Sequence, residues 1–187
     1  MMRRKITLSE FAARAAETLP KGVLLTSRVG DKVNSMVIGW GTVGVNWGKP
    51  VFAAYVRVGR FTRELLDQNP EFTVNLPLSA PDPTVLAVCG GKSGRDLEKL
   101  AACGLHTEPG ESVTVPAIRE FPVTAECRIL YRQEQQPAAL PEALRTRYYP
   151  QDRDSAFTGS NRDAHVTYFG EIVNAYILET EEGEKSS

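Results

Sequence analysis

Apolar residues near the amino terminus recur three and four positions apart, which is the spacing of one face of an α-helix. They extend from Leu8 to Leu19. Thr7 and Glu10 have the spacing of a capping box at the start of this pattern, and Pro20 follows its end. We therefore predict an amphipathic helix near the beginning of the chain.

Six later segments alternate between apolar and polar residues, as β-strands with one buried face do. The first two flank the sequence "GDK", and a Gly-Asp pair between two such runs is typical of a hairpin turn. The six segments are residues 23–29, 33–40, 51–57, 72–76, 122–135 and 164–178. We predict that they form antiparallel strands, most of them joined to their neighbours in sequence.

Short helical patterns separate these strands at residues 61–68, 81–104 and 137–150. Six strands with short helices at the edges favour a mainly β fold, a small antiparallel barrel, over a doubly wound parallel sheet, in which strand and helix would alternate regularly. We expect one domain over residues 1–187, with residues 1–6 and 180–187 disordered.

The charge of the chain is nearly balanced, because 22 lysines and arginines face 23 aspartates and glutamates to give a net charge of -1. No overall field then attracts nucleic acid or an anionic membrane, and any anion must bind at a local cluster of cations. No apolar stretch reaches the roughly 18 to 20 residues of a transmembrane helix, and no apolar block follows the basic amino terminus. We expect a cytoplasmic protein that binds neither nucleic acid nor a membrane.

The cysteines and histidines give little sign of catalysis by the side chains themselves. Cys89, Cys103 and Cys127 are odd in number and form no C-x-x-C pair, so we interpret them as core thiols. His106 and His165 have no partner at the spacing of a metal site or a catalytic triad. We predict no metal site and no catalytic residue. His165 begins a strand, where it either faces a bound ligand or is an ordinary strand-end residue.

A cluster of positive charge lies where the third predicted strand meets the next helix. Arg57 ends the strand, Arg60 stands at the start of the helix and Thr62 lies in its first turn. The free backbone N–H groups and the positive end of the helix dipole also lie there, so this arrangement suits a phosphate. The alternative is that the two arginines form surface ion pairs with carboxylates such as Glu64.

Two glycine-rich segments are further candidates for ligand contact. In residues 36–50, Met36 and Trp40 offer surface on which a flat ring can lie, although a barrel corner with a buried tryptophan has the same composition. The segment "CGGKSGRD" is not a Walker A loop, because position 86 is leucine where that motif needs glycine. Lys92, Ser93 and Arg95 form either a second anion contact or the exposed start of a helix.

Four motifs in order resemble the flavin reductase-like, FMN-binding split-barrel family, which includes flavoredoxin. They are "NSMVIGWGTVGVNWGKPVFAAYVRVGRFTRELL", "FTVNLP", "CGGKSGRDLEKLAACGL" and "HVTYFGEIVNAYI". The resemblance implies a six-stranded antiparallel split β-barrel, usually a homodimer, with FMN at or near the subunit interface. It also implies that the FMN phosphate lies by Arg57, Arg60 and Thr62, with the ring beside residues 34–40.

The candidate cofactor-binding residues are taken from these motifs, with His165 as a candidate on the substrate side. They are Asn34, Ser35, Met36, Val37, Ile38, Gly39, Trp40, Arg57, Arg60, Phe61, Thr62, Lys92 and Ser93. Two positions depart from the family pattern. Gly59 stands where a serine is common, so a backbone N–H or water must replace that hydroxyl, and Ser35 replaces a common threonine.

The resemblance favours an FMN-dependent oxidoreductase in which FMN exchanges hydride or electrons with NAD(P)H or a redox protein. Ser35, the backbone of residues 36–39 and Lys92 are then expected to donate hydrogen bonds or charge to the ring. A non-catalytic FMN carrier and a split-barrel dimer with a vacant site are the two alternatives. The sequence does not assign the role of residues 137–163, which either cover the ring or lie on the surface.

Overall fold

The structure is a computed structural model that describes residues 1–157 and 159–179. Its strands are β1 (Met2–Lys5), β2 (Val23–Val29), β3 (Lys32–Ile38), β4 (Gly41–Asn46), β5 (Lys49–Arg57), β6 (Glu71–Leu76), β7 (Thr107–Glu108), β8 (Ala117–Ile118), β9 (Val123–Glu134) and β10 (His165–Glu179). Its α-helices are α1 (Leu8–Thr18), α2 (Phe61–Gln68), α3 (Pro83–Gly91), α4 (Lys99–Ala102) and α5 (Glu142–Tyr148). Short 3₁₀ turns lie at Leu19–Lys21 and Pro137–Ala139.

The first helix forms where the periodic pattern predicts it. The Thr7 hydroxyl accepts a hydrogen bond from the backbone N–H of Glu10 at 3.1 Å, which satisfies one of the free donors of the first turn. Phe11 and Ala15 are fully buried and place α1 against the interior of the sheet. Gly22 ends the 3₁₀ turn that follows α1 with a φ of 97°, a conformation that favours glycine.

Eight strands form one antiparallel sheet in the order β3-β2-β6-β9-β10-β5-β4, with β1 paired to the far half of β10. The strands β3 and β4 stand at opposite ends of this order, yet only Gly39 and Trp40 separate them in sequence. A link from Ile38 to Gly41 spans about 11 Å at most. The sheet must therefore curl until its two ends lie side by side, which gives a barrel that is open between β3 and β4.

The barrel interior is the main hydrophobic core. Phe52 and Phe72 lie at its centre with their rings 6.4 Å apart and edge to face, and α1 and α2 contribute Phe11 and Leu66. A second buried cluster lies under α3, where Val85 and Cys89 pack with Leu24 of β2. This second cluster fixes α3 beside β3, at one side of the opening.

The sheet has more strands than the six that the alternation predicts. Residues 1–6 were expected to be disordered, but β1 pairs with Tyr176–Glu179 of β10, and Arg4 forms an ion pair with Glu179. A strand held by backbone pairing and surface charges carries no apolar alternation, which explains the wrong prediction. Strand β4 lies in the glycine-rich segment, and β7 and β8 are only two residues each. Residues 180–187 lie outside the described part of the chain.

The helical segment after β6 is also less regular than predicted. Residues 92–98 form a loop, and α4 has only four residues. The hydroxyl of Ser93 accepts a hydrogen bond from the backbone N–H of Arg95, and such local bonds compete with helix formation. Lys92 and Ser93 therefore lie in a loop rather than at the start of a helix. The helical excursion after β9 is confirmed by the 3₁₀ turn and by α5.

Two of the three predicted core thiols, Cys89 and Cys127, are buried, whereas Cys103 is partly exposed.

Among the helices of the described chain, none combines the length and the apolar character that a membrane crossing requires.

Candidate functional site

Two adjoining cavities lie at the opening of the barrel. The first, here called the basic cavity, has a volume of about 190 Å³ and is bordered by the start of α2, the loop after α3 and the segment before β10. The second, here called the aromatic cavity, has a volume of about 220 Å³ and runs along the end of β3. Met36, Arg57 and Arg60 line both cavities, so the two adjoin at these three residues.

Most residues of the predicted cofactor set line these cavities. The basic cavity is lined by Asn34, Met36, Arg57, Arg60, Phe61, Thr62, Lys92 and Ser93 of that set. The aromatic cavity is lined by Met36, Val37, Ile38, Gly39, Trp40, Arg57, Arg60 and by His165. Segments far apart in the sequence thus meet at one place.

Ser35 is the exception among the predicted residues. It is fully buried and lines neither cavity, because its hydroxyl is hydrogen-bonded to that of Thr26 on the neighbouring strand at 2.8 Å. Its backbone carbonyl faces the other way and accepts a hydrogen bond from Lys99. The register of β2 against β3 thus pairs Ser35 with Thr26 and directs its hydroxyl away from both cavities, contrary to the expectation that this hydroxyl contacts the ring.

The turn from β5 into α2 places two arginines beside the basic cavity. The backbone N–H of Arg60 donates to the carbonyl of Arg57 at 3.0 Å, and this bond closes the turn through Gly59. Arg60 is the N-cap of α2, and its side chain makes no capping hydrogen bond. The first-turn N–H groups of α2 therefore point toward the cavity end of the helix, where anions bind favourably.

Arg57 binds backbone carbonyls of the segment before β10, a role that its position in sequence does not predict. Its guanidinium donates to the backbone carbonyls of Asp163 at 2.6 Å, Tyr148 at 3.0 Å and Asn161 at 3.3 Å. The side chain is 9% exposed, and burial lowers its pKa below the ordinary value, helped by the nearby charge of Arg60. Arg57 thus fixes the segment before β10 over the site, besides lining both cavities.

The segment between β9 and β10 is consequently part of the site. Ser155, Ala156, Asn161 and Asp163 line the basic cavity. Gly159 and Ser160 line the aromatic cavity. This segment covers the site rather than lying on an unrelated surface, which answers the question that the sequence leaves open.

Thr62 and Asn34 connect α2 to β3 beneath the basic cavity. The side-chain amide of Asn34 donates to the Thr62 hydroxyl at 2.8 Å, and both residues are almost fully buried. The loop after α3 approaches them closely at Gly94, where a Cβ atom would lie 2.1 Å from Oδ1 of Asn34. A residue larger than glycine cannot occupy position 94 without displacing this pair.

Lys99 is a site residue that sequence reasoning missed. The residue is 5% exposed and lines the basic cavity, and its ammonium group donates to the carbonyls of Cys89 at 3.0 Å and Ser35 at 3.2 Å. Burial lowers its pKa below the ordinary value. A charged group held by neutral carbonyls gives the cavity a positive potential, which an anionic ligand would offset.

Two further cations lie at the rim of the basic cavity. Lys92 and Arg95 both line it, and Arg95 forms an ion pair with Glu64. The surface ion pair considered for Arg57 or Arg60 with Glu64 is therefore made by Arg95. Arg60 remains half-buried, and burial lowers its pKa while the nearby Asp163 raises it.

Aromatic side chains and one histidine form the wall of the aromatic cavity. The Trp40 ring is tilted by 42° against the ring of His165 with centroids 4.9 Å apart, and it meets Tyr148 edge to face at 5.2 Å. The Tyr149 hydroxyl donates to Gln135 at 2.7 Å and lies 2.9 Å from Nδ1 of His165. Since the Tyr149 hydrogen is used on Gln135, Nδ1 of His165 is the donor in the second bond.

His165 is neutral near pH 7, with Nδ1 protonated and Nε2 unprotonated, because its pKa is low. Burial, with the nearby positive charges of Arg57 and Arg60, lowers its pKa from 6.5 to about 3. It can accept a hydrogen bond through Nε2, and it adds no positive charge to the site near neutral pH.

The family model described as "Flavin reductase like domain" matches residues 17–185. The chain belongs to the flavin reductase-like family. A comparison with curated proteins finds no match at the stringency applied. Membership, together with the solved structures described next, indicates a flavin cofactor and a redox function.

Several solved structures share the fold. Flavoredoxin from Methanosarcina acetivorans is 26% identical, with 84% of this chain and 68% of that chain covered and a TM-score of 0.60. An FMN-binding domain of a flavin reductases-like enzyme from Shewanella baltica OS155 is 16% identical, with 94% and 77% covered and a TM-score of 0.63. An NADH:FAD oxidoreductase from Streptomyces globisporus C-1027 is 16% identical, with 84% and 75% covered and a TM-score of 0.59.

These likenesses and the antiparallel topology confirm the predicted fold class, a mainly β split barrel with peripheral helices.

Proposed function

We propose that this family member is an FMN-dependent oxidoreductase that holds the FMN phosphate in the basic cavity and the ring in the aromatic cavity. The observation that carries the proposal is that the two cavities adjoin at Met36, Arg57 and Arg60. One is strongly cationic and lies at a helix N-terminus, and the other is lined by Trp40 and Tyr55 and lies along an edge strand. A phosphorylated flavin has the same two parts, an anionic tail and a planar ring.

The cations of the basic cavity favour a phosphate over a neutral group. Arg60, Lys92 and Lys99 line it together with the first turn of α2, in a protein whose net charge is only -1. Charge-assisted hydrogen bonds from such groups contribute about 1.5 to 3 kcal/mol each. Burial lowers the pKa of Arg60 and Lys99, so a bound anion would compensate for charges that the fold has partly removed from water.

The edge of β3 suits the polar side of a flavin ring. Among the described strands β3 pairs only with β2, and its Ser35 carbonyl points outward to Lys99. Alternate residues of an antiparallel edge strand point their backbone groups the same way, so Val37 also presents its N–H and C=O groups outward. The pyrimidine part of a flavin carries donors and acceptors along one side, which such an edge can bind.

FMN, when bound, supplies the hydride and electron chemistry, so the chain needs no acid–base residue of its own. The residues of the chain bind, orient and cover the ligand. Trp40 provides an apolar surface, Arg57 holds the covering segment in place and His165 offers an unprotonated nitrogen to a donor group. The proposed reaction partner is NAD(P)H or a redox protein, and the proposed assembly is a homodimer.

Titration of the purified protein with FMN tests the binding step. The unaltered chain should bind FMN, and Arg60→Ala should weaken binding by about 2 kcal/mol, roughly 30-fold, because one charge-assisted contact is lost. Arg63→Ala is the matched control, since Arg63 lies in the same helix, pairs with Asp67 and lines neither cavity. Protein that takes up no FMN in this titration would contradict the proposal.

A second measurement separates an enzyme from a carrier. FMN-loaded protein is mixed with NADH or NADPH without oxygen, and the flavin absorption band is followed. Bleaching is expected for the enzyme. Binding of FMN without bleaching by either nucleotide, and with no redox protein that reduces it, would favour a flavin carrier.

A further inference from the structure

An acidic side chain lies inside the basic cavity, opposite Gly59. A Cβ atom at position 59 would lie 2.7 Å from Oδ2 of Asp163 and 3.8 Å from Cβ of Ser155. The carboxylate therefore fills the space in front of the turn that joins Arg57 to Arg60. A hydroxyl was expected to be replaced there by a backbone N–H or water, whereas the structure has a carboxylate near that position.

The position of this carboxylate is fixed by several hydrogen bonds. Ser155 donates its hydroxyl to Oδ1 of Asp163 at 2.6 Å. The backbone N–H of Asp163 donates to the side chain of Asn161 at 3.0 Å, and its carbonyl accepts from Arg57 at 2.6 Å. Since both backbone groups and one carboxylate oxygen are bound, the side chain stays at the cavity wall.

Asp163 is the one acidic side chain among the described residues that line the basic cavity. It acts on Arg57 and Arg60 through space, and its charge raises the pKa of both against the effect of burial. The same negative charge repels any anion that enters the cavity. A phosphate dianion is repelled about twice as strongly as a monoanion, and an uncharged ligand is not repelled.

We propose that Asp163 is a specificity-determining residue that weakens the hold of the basic cavity on a phosphate dianion. The site then discriminates less between a phosphorylated and an unphosphorylated flavin than its cations alone would. This inference rests on the proposed function, because it concerns the ligand of the same site. The inference concerns the phosphate alone, since the proposed position of the ring is the aromatic cavity, which Asp163 does not line.

The test compares the affinities of FMN and riboflavin, measured by quenching of flavin fluorescence at low ionic strength, for the unaltered chain and for Asp163→Asn. The amide has nearly the same shape as the carboxylate and its oxygen can still accept from Ser155. We expect the ratio of FMN affinity to riboflavin affinity to rise about tenfold, with riboflavin affinity changed less than about twofold. Asp154→Asn is the matched control, since Asp154 is exposed in the same segment, lines neither cavity and changes the net charge equally.

An unchanged ratio, or weaker FMN binding by Asp163→Asn, would overturn the inference, the latter by showing that the carboxylate serves to orient the arginines. Failure of the unaltered chain to bind either flavin would overturn the proposed function as well, and it is recognised before any variant is compared. Circular dichroism establishes that the variant is folded. Asp163→Ser, from which the same rise in the ratio is expected, replaces it if the amide variant does not fold.

Discussion

At the scale of single residues, the site depends on charged or titratable groups that the fold has removed from water. Arg57 and Lys99 are at most 9% exposed, and their hydrogen bonds go to backbone carbonyls. His165 is also buried and shares its proton with Tyr149 rather than with solvent. Such groups cost folding free energy when they are charged, so they are expected at a site that binds a charged ligand rather than in an ordinary core.

His165 should make the stability of the protein depend on pH. Its pKa is about 3 in the folded chain against 6.5 for an ordinary histidine, so between these values the unfolded chain binds a proton that the folded chain does not. His165 therefore does not affect the free energy of unfolding well above pH 6.5, and it lowers that free energy increasingly as the pH falls toward 3. At pH 5 the free energy of unfolding is lowered by roughly 2 kcal/mol.

Urea unfolding at pH 7.5 and pH 5 measures this effect. The decrease in unfolding free energy between the two pH values should be roughly 2 kcal/mol smaller in His165→Asn than in the unaltered chain. His106→Asn removes the other histidine, which is largely exposed, and serves as the control. Equal decreases in the unaltered chain and in His165→Asn would show that His165 does not carry the effect.

The residues that sequence could identify are those that lie close together in the chain. Arg60 and Thr62 belong to one turn of α2, and their spacing next to a strand end made them candidates, which the family resemblance then favoured over surface ion pairs. Lys99 and Asp163 reach the cavity only through the tertiary fold, because their bonded partners Ser35 and Arg57 lie 64 and 106 positions away. A lysine in a helical pattern and an aspartate in a loop carry no signal of such contacts.

At the scale of elements, close packing of β10 against the core depends on a missing side chain. A Cβ atom at Gly170 would lie 2.6 Å from two ring carbons of Phe72 and 2.9 Å from Cβ of Cys127. The register of β9 against β10 also shifts beside this glycine, between Phe169 and Gly170. At position 170, β10 can therefore pack against Phe72 only because the residue has no side chain.

Gly170→Ala should destabilise the protein by about 1 to 3 kcal/mol, since the added methyl group overpacks the core. The urea midpoint measures the loss. Gly44→Ala is the matched control, because Gly44 also lies in a strand and a Cβ atom there meets nothing within 4 Å. A midpoint equal to that of the unaltered chain would mean that Phe72 moves aside without cost.

The elements differ in how well sequence predicted them, for a physical reason. The β2–β3 hairpin has both apolar alternation and a Gly-Asp turn, and it forms as predicted. Strand β1 has neither signal, because it is held by backbone bonds to β10 and by surface ion pairs. Alternation reports burial of one face, so a strand on an exposed margin is not detected by it.

At the scale of the whole molecule, one outer surface has the character of a subunit interface. Trp47, Tyr131 and Phe169 form a cluster with ring centroids 5.8 to 6.2 Å apart. Trp47 is 57% exposed, and Val45 beside it is 71% exposed. Large exposed apolar clusters are unusual on monomers, so this aromatic surface is the best place for the contact of the proposed homodimer.

Trp47→Asp should shift the protein from dimer to monomer, as measured by light scattering after size-exclusion chromatography. Aspartate tolerates the positive φ of 52° at this hairpin turn, so the fold should be retained. Leu78→Asp is the control, because Leu78 has the same 57% exposure and lies in the loop after β6. A Trp47 variant that elutes with the mass of the unaltered protein would assign the subunit contact to another surface.

Because the link between β3 and β4 is short, the position of the Trp40 indole depends on the width of the barrel opening. Gly39 and Trp40 alone carry the chain across that opening, and the Trp40 ring also contacts that of His165 in the aromatic cavity. If the two sheet margins spread to admit a molecule, the change is absorbed by the dihedral angles of these two residues. The fluorescence emission of Trp40 should then change as the barrel opens.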